Sequence, residues 1–191
     1  MKRRKALLGI SGITGGLLLS YVGYRWASLA TKPDFSNLLG QKKLLEAITD
    51  VIIPKTDSPS ASECLAHEFV IKMIMECSDT KTQNNFMTGL ADLESYCNSE
   101  FKKSFINCSE EEKNQVIIYC AAKDKSAPGI LGKIQKRIFG KSFFATLKEY
   151  TVIGYFTSQQ GATTALRYAL IPSKYMACLP YTSGEKGWAT Y

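Results

Sequence analysis

Apolar residues recur at helical spacing along most of the chain. Leu38, Leu39, Leu44, Leu45, Ile48, Val51 and Ile52 fall mostly three or four positions apart, which puts them on one face of an amphipathic helix. Pro54 ends that helix, because proline lacks the N–H that the ladder needs. A turn cluster follows, Lys55-Thr56-Asp57-Ser58-Pro59. Two starts are open for a second helix: Ser58 with Pro59 at the first helical position, or Ser60 with Glu63 three residues on. It carries Cys64, Phe69, Val70, Met73, Ile74 and Cys77.

A third helix is predicted through Phe86, Leu90, Leu93, Cys97, Phe101 and Phe105, with Gly89 inside it. Ser109-Glu110-Glu111-Glu112 reads as a capping box with acids where the helix dipole favours them. It opens a fourth helix through Val116, Ile117 and Cys120. Ala127-Pro128-Gly129 interrupts the pattern. Phe139, Phe143, Phe144, Leu147, Thr151 and Tyr155 then predict a fifth helix, and Gly161 separates it from a short one ending before Pro172. The last twenty residues, with Pro172, Pro180, Gly184 and Gly187, read as extended and irregular. No run alternates as a strand would, and nothing repeats. The expected fold class is all-α: a single compact helical domain with an irregular C-terminal tail.

The first thirty residues follow another logic. Lys2, Arg3, Arg4 and Lys5 precede the uncharged run Ala6 to Tyr24, and Ser28-Leu29-Ala30 supplies small residues for cleavage after Ala30. Arg3-Arg4 followed by Lys5-Ala6-Leu7-Leu8 looks like a twin-arginine signal. Gly9, Gly12, Gly15, Gly16 and Gly23 dilute the apolar run, which suits such a signal. The alternative is an uncleaved anchor helix, since 19 uncharged residues just span a bilayer. Either way the body is expected outside the cytoplasm, in the periplasm, with attachment to the inner membrane as the anchor variant.

Charge changes the picture once it is divided. The chain has 191 residues, 24 Lys+Arg, 17 Asp+Glu and a net charge of +7. Five of those basic residues and no acid lie in positions 1–30, so the body is close to neutral. A near-neutral domain neutralises phosphates poorly, so nucleic acid is not expected as a partner. One domain is the expectation at this length.

The single histidine, His67, removes multi-His metal centres and leaves a Ser-His-Asp or Cys-His site one possible histidine. His67 lies mid-helix beside Glu68 without evident partners and reads as structural or solvent-facing. There is no G-x-G-x-x-G, no P-loop and no C-x-x-C. Cys64, Cys77, Cys97, Cys108, Cys120 and Cys178 read either as small core residues or as disulfide partners in an exported protein. Cys178, alone in the tail, is the candidate for a bridge to another chain. Lys133-Ile134-Gln135-Lys136-Arg137 reads as a solvated helix face, with a partner or lipid surface as the sharper alternative. Tyr150, Tyr155, Phe156, Tyr168, Tyr175, Tyr181, Trp188 and Tyr191 crowd the C-terminal end, where they serve either tail-on-body packing or partner contact.

The helix Leu44 to Ile52 running into Ile53-Pro54-Lys55-Thr56-Asp57-Ser58-Pro59, then Phe143-Phe144, Tyr150-Thr151-Val152-Ile153-Gly154-Tyr155-Phe156-Thr157-Ser158 and the tail Pro172 to Trp188 together resemble one family. It is the small subunit, subunit 3 or gamma, of membrane-associated gluconate 2-dehydrogenase-type enzymes. Ser60 stands where that family often has glycine before Ala61. The resemblance implies a non-catalytic helical accessory subunit aiding folding, export and membrane-side assembly of a large FAD-dependent subunit of the glucose–methanol–choline (GMC) type. That large subunit would oxidise a sugar, polyol or sugar acid and pass electrons to a cytochrome subunit or quinone. FAD would sit in the partner, and no cofactor in this chain.

The expected organisation is a twin-arginine-type signal or anchor over 1–30, a linker over 31–39 and a helical accessory-subunit domain over 40–191. Arg3 and Arg4 would engage the twin-arginine translocon. Tyr155, Phe156, Tyr175, Cys178, Tyr181 and Trp188 are the candidate partner interface. No catalytic, cofactor-binding or metal-binding residue is assigned. The competing expectation is a stand-alone, membrane-anchored periplasmic helical protein with a structural or binding role.

Overall fold

A computed structural model of the chain describes residues 31–124, 129–167 and 182–188, together with Ser20, Gly23, Leu29, Cys178 and Pro180. The described residues form eight α-helices with no strand ladder, so the fold is all-α as expected. Arg3, Arg4, Tyr175 and Tyr181 lie outside the described residues.

The first predicted helix is two: α1 (Ser36–Gly40) and α2 (Lys42–Ile52), divided at Gln41, whose φ of −95° and ψ of 17° leave the helical region. Asp34 opens α1 by accepting the Ser36 N–H and hydroxyl at 2.9 and 2.8 Å. Of the expected stripe, Leu38, Leu45 and Ile48 are fully enclosed and Leu44 is buried, whereas Val51 and Ile52 are half-buried and Leu39 is 59% exposed. Ile53 is extended, because the following proline drives its neighbour out of the helical region.

The second helix begins later than expected. Ser60 and Glu63 make the anticipated reciprocal contacts, at 3.2 and 3.4 Å. The chain completes one turn, however, and then reverses through Leu65 at φ 55°, ψ 28°. α3 (Ala66–Lys72) starts only there and runs into a π-helical turn, Met73–Cys77.

α4 (Thr80–Phe101) stops at Lys102, left-handed at φ 54°. Phe105, expected on the same helix, instead occupies a 3₁₀ turn, Phe105–Asn107, where it is fully buried. The Glu94 carboxylate accepts the Phe105 N–H at 3.2 Å and so ties that turn to α4. α5 (Glu110–Lys123) opens with the predicted capping box: the Glu112 N–H donates to Ser109 Oγ at 3.3 Å and the Ser109 N–H to the Glu112 carboxylate at 2.7 Å.

The fifth predicted helix also divides. α6 (Ile130–Phe139) and α7 (Phe143–Thr157) are separated at Gly140. Its φ is 81°, and a Cβ there would lie 2.9 Å from Lys81 Cβ. α8 (Gln159–Ala165) follows. Gly161 is not a separator but sits in the first turn of α8, with its N–H on Ser158 Oγ at 3.0 Å. A side chain there would collide with the Tyr155 carbonyl, whose oxygen lies 2.0 Å from the Cβ position.

α7 is the central element, packing along both α3 and α4. Gly154 allows the α3 approach, its missing Cβ lying 2.9 Å from the Phe69 ring. Phe86 and Phe143 meet edge to face at 5.3 Å across α4 and α7. Ile74, Leu90, Leu93, Val116 and Leu147 fill the rest of the core. Leu29 is buried, and Asn84 Nδ2 donates to the Leu29, Thr31 and Thr80 carbonyls at 3.2, 2.7 and 3.0 Å, fastening the chain entry to α4. All six cysteines are thiols; Cys64, Cys97, Cys108 and Cys120 are buried, Cys77 and Cys178 exposed. No helix among the described residues is long and apolar enough to cross a membrane.

Candidate partner-docking surface

Two of the segments that carry the sequence resemblance, the loop after α2 and the C-terminal half of α7, are brought together. The loop after α2 is closed at its base by the Ala61 N–H on the Ile53 carbonyl at 3.1 Å and the Ser62 N–H on Asp50 Oδ1 at 2.8 Å. Inside it, the Thr56 N–H donates to the Ser58 carbonyl at 3.1 Å. Lys55 pairs with Glu63 across the loop, and that hydrogen bond, with the one from the Ser60 N–H, holds the Glu63 carboxyl below its ordinary range. Ser60 is buried and outside the left-handed region, so the loop does not require the glycine the family often has there; its hydroxyl makes the turn with Glu63 instead.

Tyr155, from the C-terminal half of α7, closes the assembly. Its hydroxyl donates to the Pro59 carbonyl at 3.0 Å, joining positions 96 residues apart. The ring is only 2% exposed, which corrects the expectation that Tyr155 contacts a partner: it is core, and its polar end is spent on the loop. Phe156 lies edge-on to Tyr155 at 5.1 Å and is 39% exposed. Ile153 and Leu65 are exposed too. Leu65 was not legible from the sequence, because a leucine at positive φ is uncommon and no local signal announces it.

The tail folds back where it is described. Arg167 and Trp188 form a parallel bridge, with the Arg167 N–H on the Gly187 carbonyl at 2.8 Å. The Arg167 guanidinium lies 4.4 Å over the Trp188 ring and pairs with Glu185, while Lys186 donates to the Thr164 carbonyl. Trp188 therefore packs on the body and still shows 47% of its surface. Cys178 is exposed and free.

His67 is buried in α3, and its Nδ1 has no hydrogen-bond partner. Burial pushes the Cys97 thiol up to about 12 and the Cys120 thiol up to about 11, which makes both poor nucleophiles. An open cleft of about 430 Å³ between α2 and α5 is lined by Lys43, Glu46, Asp50, Ile106, Glu110 and Lys113 among others. It carries three acids, Glu46, Asp50 and Glu110, and two lysines, Lys43 and Lys113. Among the described residues no three His, Cys, Asp or Glu side chains are grouped to hold a metal ion. The surface around the loop is held in shape by hydrogen bonds among its own polar groups, and its exposed side chains are mixed: polar Lys55, Thr56, Asp57 and Glu63 and apolar Leu65, Ile153 and Phe156.

The sequence profile of the family described as gluconate 2-dehydrogenase subunit 3 matches residues 40–172, a span that contains both the loop and α7. Neither the curated proteins nor the solved structures yield a match to the chain. The chain belongs to the gluconate 2-dehydrogenase subunit 3 family.

Proposed function

We propose that this chain is the non-catalytic small subunit of an FAD-dependent, GMC-type dehydrogenase complex. It folds against the large subunit, accompanies it through the twin-arginine translocon under the direction of Arg3 and Arg4, and holds it at the periplasmic side of the membrane. FAD and the oxidation of a sugar, polyol or sugar acid belong to the large subunit, with a cytochrome subunit receiving the electrons. Cys178, Trp188 and Phe156 are the side chains offered to partners, together with Tyr175 and Tyr181.

The observation that carries this reading is the Tyr155–Pro59 clamp. It locks two of the resemblance-bearing segments into one surface and leaves Phe156 outside. A preorganised surface with an exposed aromatic anchor is what a stable interface needs, since little ordering entropy remains to be lost on association.

The test is co-expression with the large flavoprotein subunit. Phe156→Ala is expected to weaken the complex about tenfold, the weight of an aromatic anchor. Arg3→Lys with Arg4→Lys is expected to leave both subunits in the cytoplasm. Unchanged export of the large subunit by that variant contradicts the escort role.

A further inference from the structure

Among the described residues no helix packs along α6. It is held at its C-terminal end instead. Lys81 Nζ donates to the Ile138 carbonyl at 2.7 Å, and Asn85 Nδ2 donates to the Phe139 and Lys141 carbonyls at 2.6 and 3.0 Å. Gly132 is buried and Phe139 half-buried; seven positions apart, they mark the side turned to the body. Ile130, Lys133, Arg137 and Ile138 fall on the other side and are all exposed, Ile130 at 75% and Ile138 at 39%. Two exposed isoleucines thus share one face of a short helix with two exposed basic side chains, the make-up of a helix that lies in an interface plane.

The charge around them is of one sign. From Lys125 to Lys148 the sequence has six basic residues and no acid, whereas the rest of the body past residue 30 has 13 basic and 17 acidic residues. Lys141 is engaged by Glu149 at 2.9 Å. Lys133 and Arg137 make no ion pair among the described residues. The surface complementary to this face is apolar and anionic in one plane. A bilayer face with acidic headgroups has that layering: acyl chains receive the isoleucines, and basic side chains lay their stems along them while keeping their charged ends at the phosphates.

We propose that α6 lies in the plane of an anionic membrane surface, with Ile130 and Ile138 entering the acyl boundary and Lys133 and Arg137 on the lipid phosphates. This attachment rests on α6 alone and stands apart from the partner-subunit reading above.

The uncharged run Ala6–Tyr24 can recruit the chain to lipid by itself, so the readout must be local to α6. Hydrogen–deuterium exchange of the full-length protein is followed over residues 130–139, with vesicles of phosphatidylglycerol and with vesicles of phosphatidylcholine. Exchange is expected to slow with phosphatidylglycerol and not with phosphatidylcholine. Lys133→Gln with Arg137→Gln is expected to raise the lipid concentration needed by about 30-fold, the weight of two basic side chains near acidic headgroups. Ile130→Ser with Ile138→Ser is expected to remove the protection; these positions are exposed, and unchanged circular dichroism confirms the fold. If residues 130–139 exchange at the free rate while the chain is vesicle-bound, the proposal is wrong. It is equally wrong if protection requires the large subunit and not lipid.

Discussion

The Tyr155 hydroxyl donates to the Pro59 carbonyl at 3.0 Å, so the last turns of α7 fix the loop that follows α2. Removing the hydroxyl leaves a carbonyl in a partly buried place without its donor. Tyr155→Phe is expected to cost about 1–2 kcal/mol. Tyr155→Ala also removes a buried ring and is expected to cost roughly 3–5 kcal/mol. Phe156→Ala, at the exposed neighbour, is expected to cost under about 1.5 kcal/mol of stability. Urea titrations of the three variants check the order.

Two glycines are expected to respond with opposite sign. Gly161→Ala pushes a methyl group into the Tyr155 carbonyl, so a loss of about 1–3 kcal/mol follows from overpacking. Gly40, at the end of α1, has nothing within 4 Å of its Cβ position. Gly40→Ala is expected to stabilise by about 0.4–1 kcal/mol, because it restricts the unfolded chain without a clash. Thermal melts separate the two outcomes.

The capping box of α5 predicts a pH dependence. The Ser109 N–H hydrogen bond, supported by Lys103, holds the Glu112 carboxyl below its ordinary 4.5. A depressed folded-state value stabilises the protein above the unfolded value and is lost as pH falls through the folded one. Glu112→Gln keeps the reciprocal geometry without the charge. Its deficit relative to the parent chain is expected to be present at pH 7 and to shrink below about pH 4.5. Ser109→Ala, by contrast, is expected to cost about 1 kcal/mol. Chemical denaturation at pH 7 and pH 3 reads both.

Thiol reactivity should follow burial. Cys77 and Cys178 are exposed, whereas Cys97 and Cys120 are shielded and pushed to about 12 and about 11. In the native chain at pH 8 an aromatic disulfide reagent is expected to label Cys77 and Cys178 quickly. The four buried thiols are expected to react only in denaturant, where all six titrate without reductant. Fewer than six in denaturant would reveal a disulfide.

Local signals in the sequence were reliable where the physics was local. Ser109 and Glu112 announced the start of α5, and Pro54 announced the end of α2, because a cap and a missing N–H act within one turn. The all-α class followed from the spacing of Leu44, Leu45 and Ile48 and of Phe86, Leu90 and Leu93. Breaks inside apolar patterns were not legible. Gly140 divides α6 from α7 by resting against Lys81 and Thr82, a contact made far along the chain. Leu65 reverses the backbone with no glycine to mark it. Tyr155, part of the apolar pattern of the fifth predicted helix and also a candidate for partner contact, is core, and what decides between the two is a carbonyl 96 residues away. Phe156 and Trp188, read as partner contacts, remain exposed, and Trp188 is also tied to the body by Arg167.

The most direct measurement of the accessory-subunit account is size-exclusion chromatography with light scattering on the chain co-expressed with the large flavoprotein subunit proposed for it, read alongside flavin absorbance and dehydrogenase turnover. The account predicts one peak holding both chains, with flavin and turnover present there and absent from the small subunit purified alone. A small subunit that elutes by itself, or that carries flavin and turns over substrate without its partner, would contradict it.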